Sequence, residues 1–160
     1  MSRINKAFAG GKAFIAFVTA GDPNINITEQ LILAIENAGA DLIEIGIPFS
    51  DPIADGEVIS DAAQFMLKKN QGFAEISESI KYIRDYADSS KDIYIMTYAN
   101  LIYNMDMDKF NQFCSSVKIK GLILPDVPYC EQSFIRQLNI DNNIDLIIFI
   151  TPESTEESLI

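Results

Sequence analysis

Apolar residues fall in short runs, and helix-length stretches with three- to four-residue spacing separate them. Ala13–Thr19 is the first run. Gly21-Asp22-Pro23 closes it, so it reads as a strand buried on both faces. A helix is expected next. Asn26 with Glu29 three residues on has the form of a capping box, Leu31, Ala34, Ile35 and Ala38 make one apolar stripe, and Gly39 supplies the stop. Leu42–Ile47 predicts the second strand, and Pro48 to Gly56 a polar loop. Helical spacing covers Val58–Lys69 and Ala74–Ala87, with Ile76, Ile80, Ile83 and Ala87 on one face of the latter. The third strand is expected at Ile93–Tyr98. A helix with Phe110, Phe113, Cys114 and Val117 on its stripe follows. Leu122–Leu124 is the fourth strand, Glu131–Leu138 marks another helix, and Leu146–Ile150 is the fifth strand.

These strands are mostly apolar runs rather than alternating ones, the pattern of a parallel sheet covered by helices. With no hairpin signal between them, the chain reads as α/β. Pattern alone leaves open whether the sheet is doubly wound or a (β/α)8 barrel. No Gly-x-Gly-x-x-Gly follows the first strand, which counts against the dinucleotide-binding version. Ser154-Thr155-Glu156-Glu157 has the form of a capping box, yet Ile160 ends the chain three residues later. A helix of about one turn is unstable alone. The expectation is that residues 1–160 form the N-terminal part of a single larger domain, cut just inside its fifth helix.

Composition narrows the function classes. The chain has 160 residues, 48% hydrophobic and 22% charged, enough for a globular core without disulfides or metal. Asp and Glu total 23 against 12 Lys and Arg, a net charge of −11. Such a chain lacks the cationic surface that nucleic acid requires, and anionic membranes repel it. Ala13–Ala20 after Lys12 loosely resembles a signal peptide's apolar region, but it is short and Asp22-Pro23 follows at once. With no His, a His-based triad, a His-bearing zinc site and a His pH switch are all excluded. Cys114 and Cys130 are too few for a zinc cage and read as structural thiols in a reducing compartment. Acid–base chemistry must therefore fall to Asp, Glu, Lys, Tyr or Cys.

In either α/β architecture, ligands bind at the carboxyl ends of the strands. The polar residues expected there are Asp22, Glu44, Ser50, Asp51, Asp55, Asn100, Asp126 and Thr151. Lys118 and Lys120 precede the fourth strand, at the opposite end, which disfavours a Schiff-base aldolase. Glu44 is the most unusual residue, because it lies inside a strand between Ile43 and Ile45. Burying a carboxylate there costs several kcal/mol unless it is paired or neutralised. Desolvation raises its pKa toward neutrality, which suits a group that gives and takes protons. The competing reading is a Glu held by an Arg or by backbone donors. Asp55, 11 residues on, is either a second functional carboxyl or a turn former beside Gly56. Phe17 and Tyr98 are either core or pocket lining.

Two stretches carry a resemblance. Phe17-Val18-Thr19-Ala20-Gly21-Asp22-Pro23 and Ile43-Glu44-Ile45-Gly46-Ile47-Pro48-Phe49-Ser50-Asp51-Pro52-Ile53-Ala54-Asp55-Gly56 are similar to the tryptophan synthase alpha subunit family, and Tyr98-Ala99-Asn100 and Asp126-Val127-Pro128 fit its later strand ends. The resemblance implies a (β/α)8 TIM barrel, here incomplete with about five β/α units. It implies a cytoplasmic lyase of tryptophan biosynthesis that splits indole-3-glycerol phosphate into indole and glyceraldehyde 3-phosphate. No cofactor is implied for this chain. Pyridoxal phosphate is expected only in the beta subunit, the partner in an α2β2 heterotetramer. By position, Glu44 and Asp55 fall on the family's catalytic carboxyls. Phe17, Met96, Tyr98, Ile123 and Ile150 fall on the indole slot, and Asp51, Pro52, Asn100 and Pro128 on the beta-facing surface. The family's chain is about 100 residues longer, close to a full barrel of about 250. Strands six to eight, with the phosphate grip, have no counterpart in the sequence, and Pro125 stands where a small residue is usual. The alternative expectation is a catalytically incomplete fragment that acts only as a beta-subunit-binding module.

Overall fold

Five strands run parallel in one sheet: β1 (Ile15–Thr19), β2 (Leu42–Gly46), β3 (Asp92–Met96), β4 (Gly121–Ile123) and β5 (Asp145–Ile147). Each pairs with the next in chain order. A doubly wound sheet reverses its strand order at a switch point, whereas a barrel does not. The order therefore favours a barrel wall over an open dinucleotide-type sheet. The computed structural model describes residues 4–69, 77–78, 80–81, 92–133, 135–136 and 143–156.

The helices described from end to end are α1 (Ile4–Ala7), α2 (Ile25–Asn37), α3 (Glu57–Lys68), α4 (Ala99–Met105) and α5 (Met107–Ser116), and Tyr129–Glu131 forms a 3₁₀ turn. Strand alternation divides the core in two. Ile43, Ile45, Ile93, Ile95 and Leu122 face outward and meet Ile32, Phe110, Phe113, Cys114 and Val117 in the layer beneath the helices. Leu42, Tyr94 and Ile123 face inward, and Ile4, Ile15, Met96 and Ile147 complete that inner cluster. Inward-facing residues stand in register across the wall. Phe17 pairs with Glu44, Glu44 with Tyr94, Tyr94 with Gly121 and Gly121 with Asp145.

Several elements differ from the sequence expectation. The cap of α2 is Asn24, whose Oδ1 accepts from Ile27 N at 3.0 Å, and Asn26 lies within the helix. Its buried residues are Thr28 and Ile32, while Leu31 is 41% exposed and Ala34 and Ala38 are exposed. Thr28 Oγ1 accepts from Gly21 N at 2.9 Å, and this buried bond ties the helix to the end of β1 and sets its rotation. Of the expected stripe, Ile35 packs against the core beneath the helices, while Leu31, Ala34 and Ala38 stay exposed. β5 ends at Ile147, and Phe149 and Ile150 are 55% and 68% exposed. Ser154 and Thr155 are not helical. Ser154 Oγ instead accepts from Thr151 N at 2.9 Å, closing a turn. Of the expected helix at 74–87, residues 77–78 and 80–81 are helical with Ile80 buried, and Ile76, Ile83 and Ala87 lie outside the described residues. The helix expected over 131–138 is likewise described only in part, with Gln132 and Ile135 buried.

Among the described residues, no helix is long and apolar enough to cross a membrane.

Candidate active site

Glu44 occupies the middle of β2, facing inward between Phe17 and Tyr94. It is half-buried, and burial holds its carboxyl above the ordinary glutamate range. The Phe17 ring leans over β2. A Cβ on Gly46 would lie 2.5 Å from the tip of that ring, so glycine is what lets the ring lie there. Above Glu44, at the carboxyl end of the wall, opens a cavity of about 650 Å³. Phe17, Met96, Ile123 and Ile147 supply its apolar walls. Glu44 and Asp55 supply its carboxyls, and Ala54, Gly56, Ile59, Pro125, Phe149 and Thr151 complete it.

Asp55 arrives from the loop after β2. Two local turns shape that loop: Ile53 N donates to Asp51 O at 3.0 Å and Asp55 N to Pro52 O at 3.3 Å. Tyr98, just beyond β3, anchors it. The Tyr98 ring stacks on Phe49 with centroids 5.0 Å apart, and its hydroxyl accepts from Ala54 N at 3.2 Å and donates to the Asp55 side chain. Burial pushes the Asp55 carboxyl upward, and the Tyr98 hydrogen bond opposes that shift. Burial also raises the Tyr98 phenol, as do the negative charges of Asp55 and Asp126, while the Ala54 bond lowers it. One residue on, Ala99 N donates to both Asp126 oxygens at 3.2 and 3.1 Å. Asp126 follows β4, so these bonds join three loops at one end of the wall.

Of the residues singled out in the sequence, Phe17, Glu44, Asp55, Met96, Ile123, Pro125 and Thr151 line this single cavity. Tyr98 stands beside it, in a narrow crevice shared with Asp55, Phe17 and Met96. Ile150 lies outside the lining and is exposed, three residues past the end of β5; Ile147 and Phe149, two apart on the inward face, stand there instead. Period-2 alternation along the fifth strand was the available signal for Ile147. Ala54 and Ile59 had no sequence signal as lining. Asp51, Asn100 and Pro128 are exposed and Pro52 partly so. Pro128 also borders a second groove of about 510 Å³, with Ile53, Asp126, Cys130 and Phe149, and Pro125 lines both spaces. Among the described residues, no cluster of Cys, Asp and Glu is arranged to hold a metal ion.

Two carboxyls with raised proton affinity thus face one largely apolar space of ligand size. Such a site can move protons on an aromatic or apolar substrate in a poorly hydrated setting.

Likeness to known proteins runs along nearly the whole chain. The tryptophan synthase alpha chain family model matches residues 4–160. The tryptophan synthase alpha chain of Petrotoga mobilis is 38% identical over 159 residues, covering 99% of this chain and 61% of the relative. That of Thermoanaerobacter pseudethanolicus is 40% identical over 161 residues, covering 98% and 61%. Among solved structures, the tryptophan synthase alpha subunit of Legionella pneumophila superposes with a TM-score of 0.90 at 29% identity, covering 99% of this chain and 62% of that one. A ligand-free tryptophan synthase from M. tuberculosis gives 0.89 at 26% identity, covering 99% and 65%. The chain therefore spans about three fifths of the length of the relatives it matches. The likeness also assigns the five β/α units to an incomplete TIM barrel.

Proposed function

The chain belongs to the tryptophan synthase alpha chain family, and from that premise we propose that it supplies the proton-transfer half of a lyase. The substrate is indole-3-glycerol phosphate, and the products are indole and glyceraldehyde 3-phosphate. One observation carries the reading: Glu44, with its proton affinity raised by burial, shares an apolar cavity with Asp55.

The chemistry follows from those two groups. Glu44 in its acid form donates a proton to indole C3, which gives a cationic indolenine. Its carboxylate then takes the proton from the hydroxyl on the adjacent glycerol carbon. As that hydroxyl becomes an aldehyde, the bond from indole C3 to that carbon breaks. Its electron pair returns to the ring and discharges the cation. Ionised Asp55 accepts a hydrogen bond from the indole N–H and offsets the positive charge that develops there. Phe17, Met96, Ile123 and Ile147 provide the flat apolar slot for the ring. These steps need only a proton donor and acceptor, so the reading includes no cofactor for this chain. The phosphate end of the substrate calls for a grip of the kind barrels build after strands seven and eight, which are not among the five strands of this sheet.

The reading extends to a cytoplasmic setting and to a beta subunit carrying pyridoxal phosphate, docked on the rim formed by Asp51, Pro52, Asn100 and Pro128 in an α2β2 assembly. Exposure of Asp51, Asn100 and Pro128, the last of them bordering the second groove, supports that placement. The test uses the protein produced from the complete reading frame. Indole release from indole-3-glycerol phosphate is expected, faster when the beta subunit is added. No release with or without it would contradict the lyase and leave a binding module as the better account.

A further inference from the structure

We propose that Tyr98 is a positioning residue whose hydroxyl sets the orientation of Asp55, with which it shares a narrow crevice. The inference rests on the function proposed above, in which Asp55 meets the indole nitrogen. Tyr98 is only 2% exposed, and its ring is stacked on Phe49, so its hydroxyl is held in one place. Ala54 N–H donates to that hydroxyl oxygen at 3.2 Å, which directs the phenolic proton away from the backbone and toward the next residue, Asp55. A single hydroxyl thus grips two consecutive residues of the loop, one by its backbone and one by its side chain.

The loop's own hydrogen bonds do not do this work. Those from Ile53 N to Asp51 O and from Asp55 N to Pro52 O fix backbone only. Among the described residues, the charged groups set beside Tyr98 and Asp55 are acidic: Asp126 bears on the phenol from the loop after β4, and Glu44 shares the Asp55 cavity from β2. That setting keeps Tyr98 protonated, hence a permanent donor. A phenol that donates favours the ionised carboxyl. Without it, burial acts on Asp55 unopposed and the carboxyl takes up a proton at higher pH.

The test compares wild type, Tyr98→Phe, Asp55→Asn and the double variant, each made from the complete reading frame. Two readouts are used. In a ¹³C NMR titration of the Asp55 carboxyl, Tyr98→Phe is expected to move the midpoint upward; an unmoved midpoint overturns the proposal. In indole release, Tyr98→Phe is expected to lower kcat about ten- to a hundredfold, as loss of a charge-assisted hydrogen bond does. The acid limb of the pH profile is expected to move to higher pH. In the Asp55→Asn background the same change is expected to have little further effect. An equal fall in both backgrounds would make Tyr98 merely structural and overturn the proposal. A wild-type protein that releases no indole would defeat the lyase reading instead, and the NMR titration would still decide the role of Tyr98.

Discussion

Tyr94 on β3 donates its phenolic proton to Asp145 on β5 at 3.0 Å, reaching across β4 at Gly121. The ring lies flat against that strand: a Cβ on Gly121 would sit 1.7 Å from Tyr94 Cδ1. Tyr94 is 1% exposed, so it has nowhere to retreat. Gly121→Ala is therefore expected to destabilise the fold by about 1–3 kcal/mol through overpacking. Tyr94→Phe, which keeps the ring and loses the hydroxyl, is expected to cost about 1 kcal/mol. Urea denaturation of the two variants checks the order, and equal stability of Gly121→Ala and wild type would contradict the packing.

The two thiols are expected to behave differently. Cys114 is buried in the layer beneath α5, and burial pushes its thiol pKa up to about 12, whereas Cys130 is exposed. In the folded protein, an alkylating reagent at pH 8 should label one thiol per chain, at Cys130, and Cys114 should react only on unfolding. Fast labelling of Cys114 under native conditions would contradict the placement of α5 on the sheet.

Asp126 caps α4 from another loop, since Tyr98 at the cap position makes no side-chain cap bond of its own. Asp126→Ala is expected to cost about 0.5–2 kcal/mol, in the range of a lost helix cap. Asp126→Asn, which keeps an acceptor oxygen, should cost less. Thermal unfolding of the pair checks this, and an alanine variant as stable as the asparagine one would rule out the cap.

The pH dependence follows from the signs of the two carboxyl shifts. Glu44 must hold a proton for the first step, so activity is lost as pH rises through its raised pKa. Asp55 must be ionised, so activity is lost as pH falls through its own. Burial is what raises Glu44, so letting water into the cavity should lower it. Ile123→Asn is expected to move the basic limb of kcat/KM to lower pH, and a limb that stays in place would show that Glu44 does not set it. For stability the sign is the reverse of a salt-bridged acid. Both carboxyls are raised in the folded state, so each disfavours folding when ionised and that cost is relieved as pH falls through the folded pKa.

Much of the wall was legible in the sequence, because a strand buried on both faces leaves a mostly apolar run, as at Leu122–Leu124. Glu44 stood out for the same reason, as a carboxyl inside such a run. Element ends were less legible. Asn24 and Asn26 are equally good cap residues, and only the tertiary bond from Gly21 to Thr28 decides which face of α2 meets the sheet. The resemblance offered Ile150 for the pocket, whereas Ile147 and Phe149, two apart on the inward face, stand there instead. The link from Tyr98 to Ala54 spans 44 residues, a separation at which local patterns carry no signal.

The most direct test of proton transfer by Glu44 replaces it with Gln in the protein made from the complete reading frame. Binding of indole-3-glycerol phosphate and single-turnover release of indole are then measured side by side. Near-normal binding is expected, with cleavage slowed roughly a hundred- to ten-thousandfold, the usual range for a lost general acid–base. Cleavage at close to the wild-type rate would contradict the role of Glu44 and the lyase chemistry built on it.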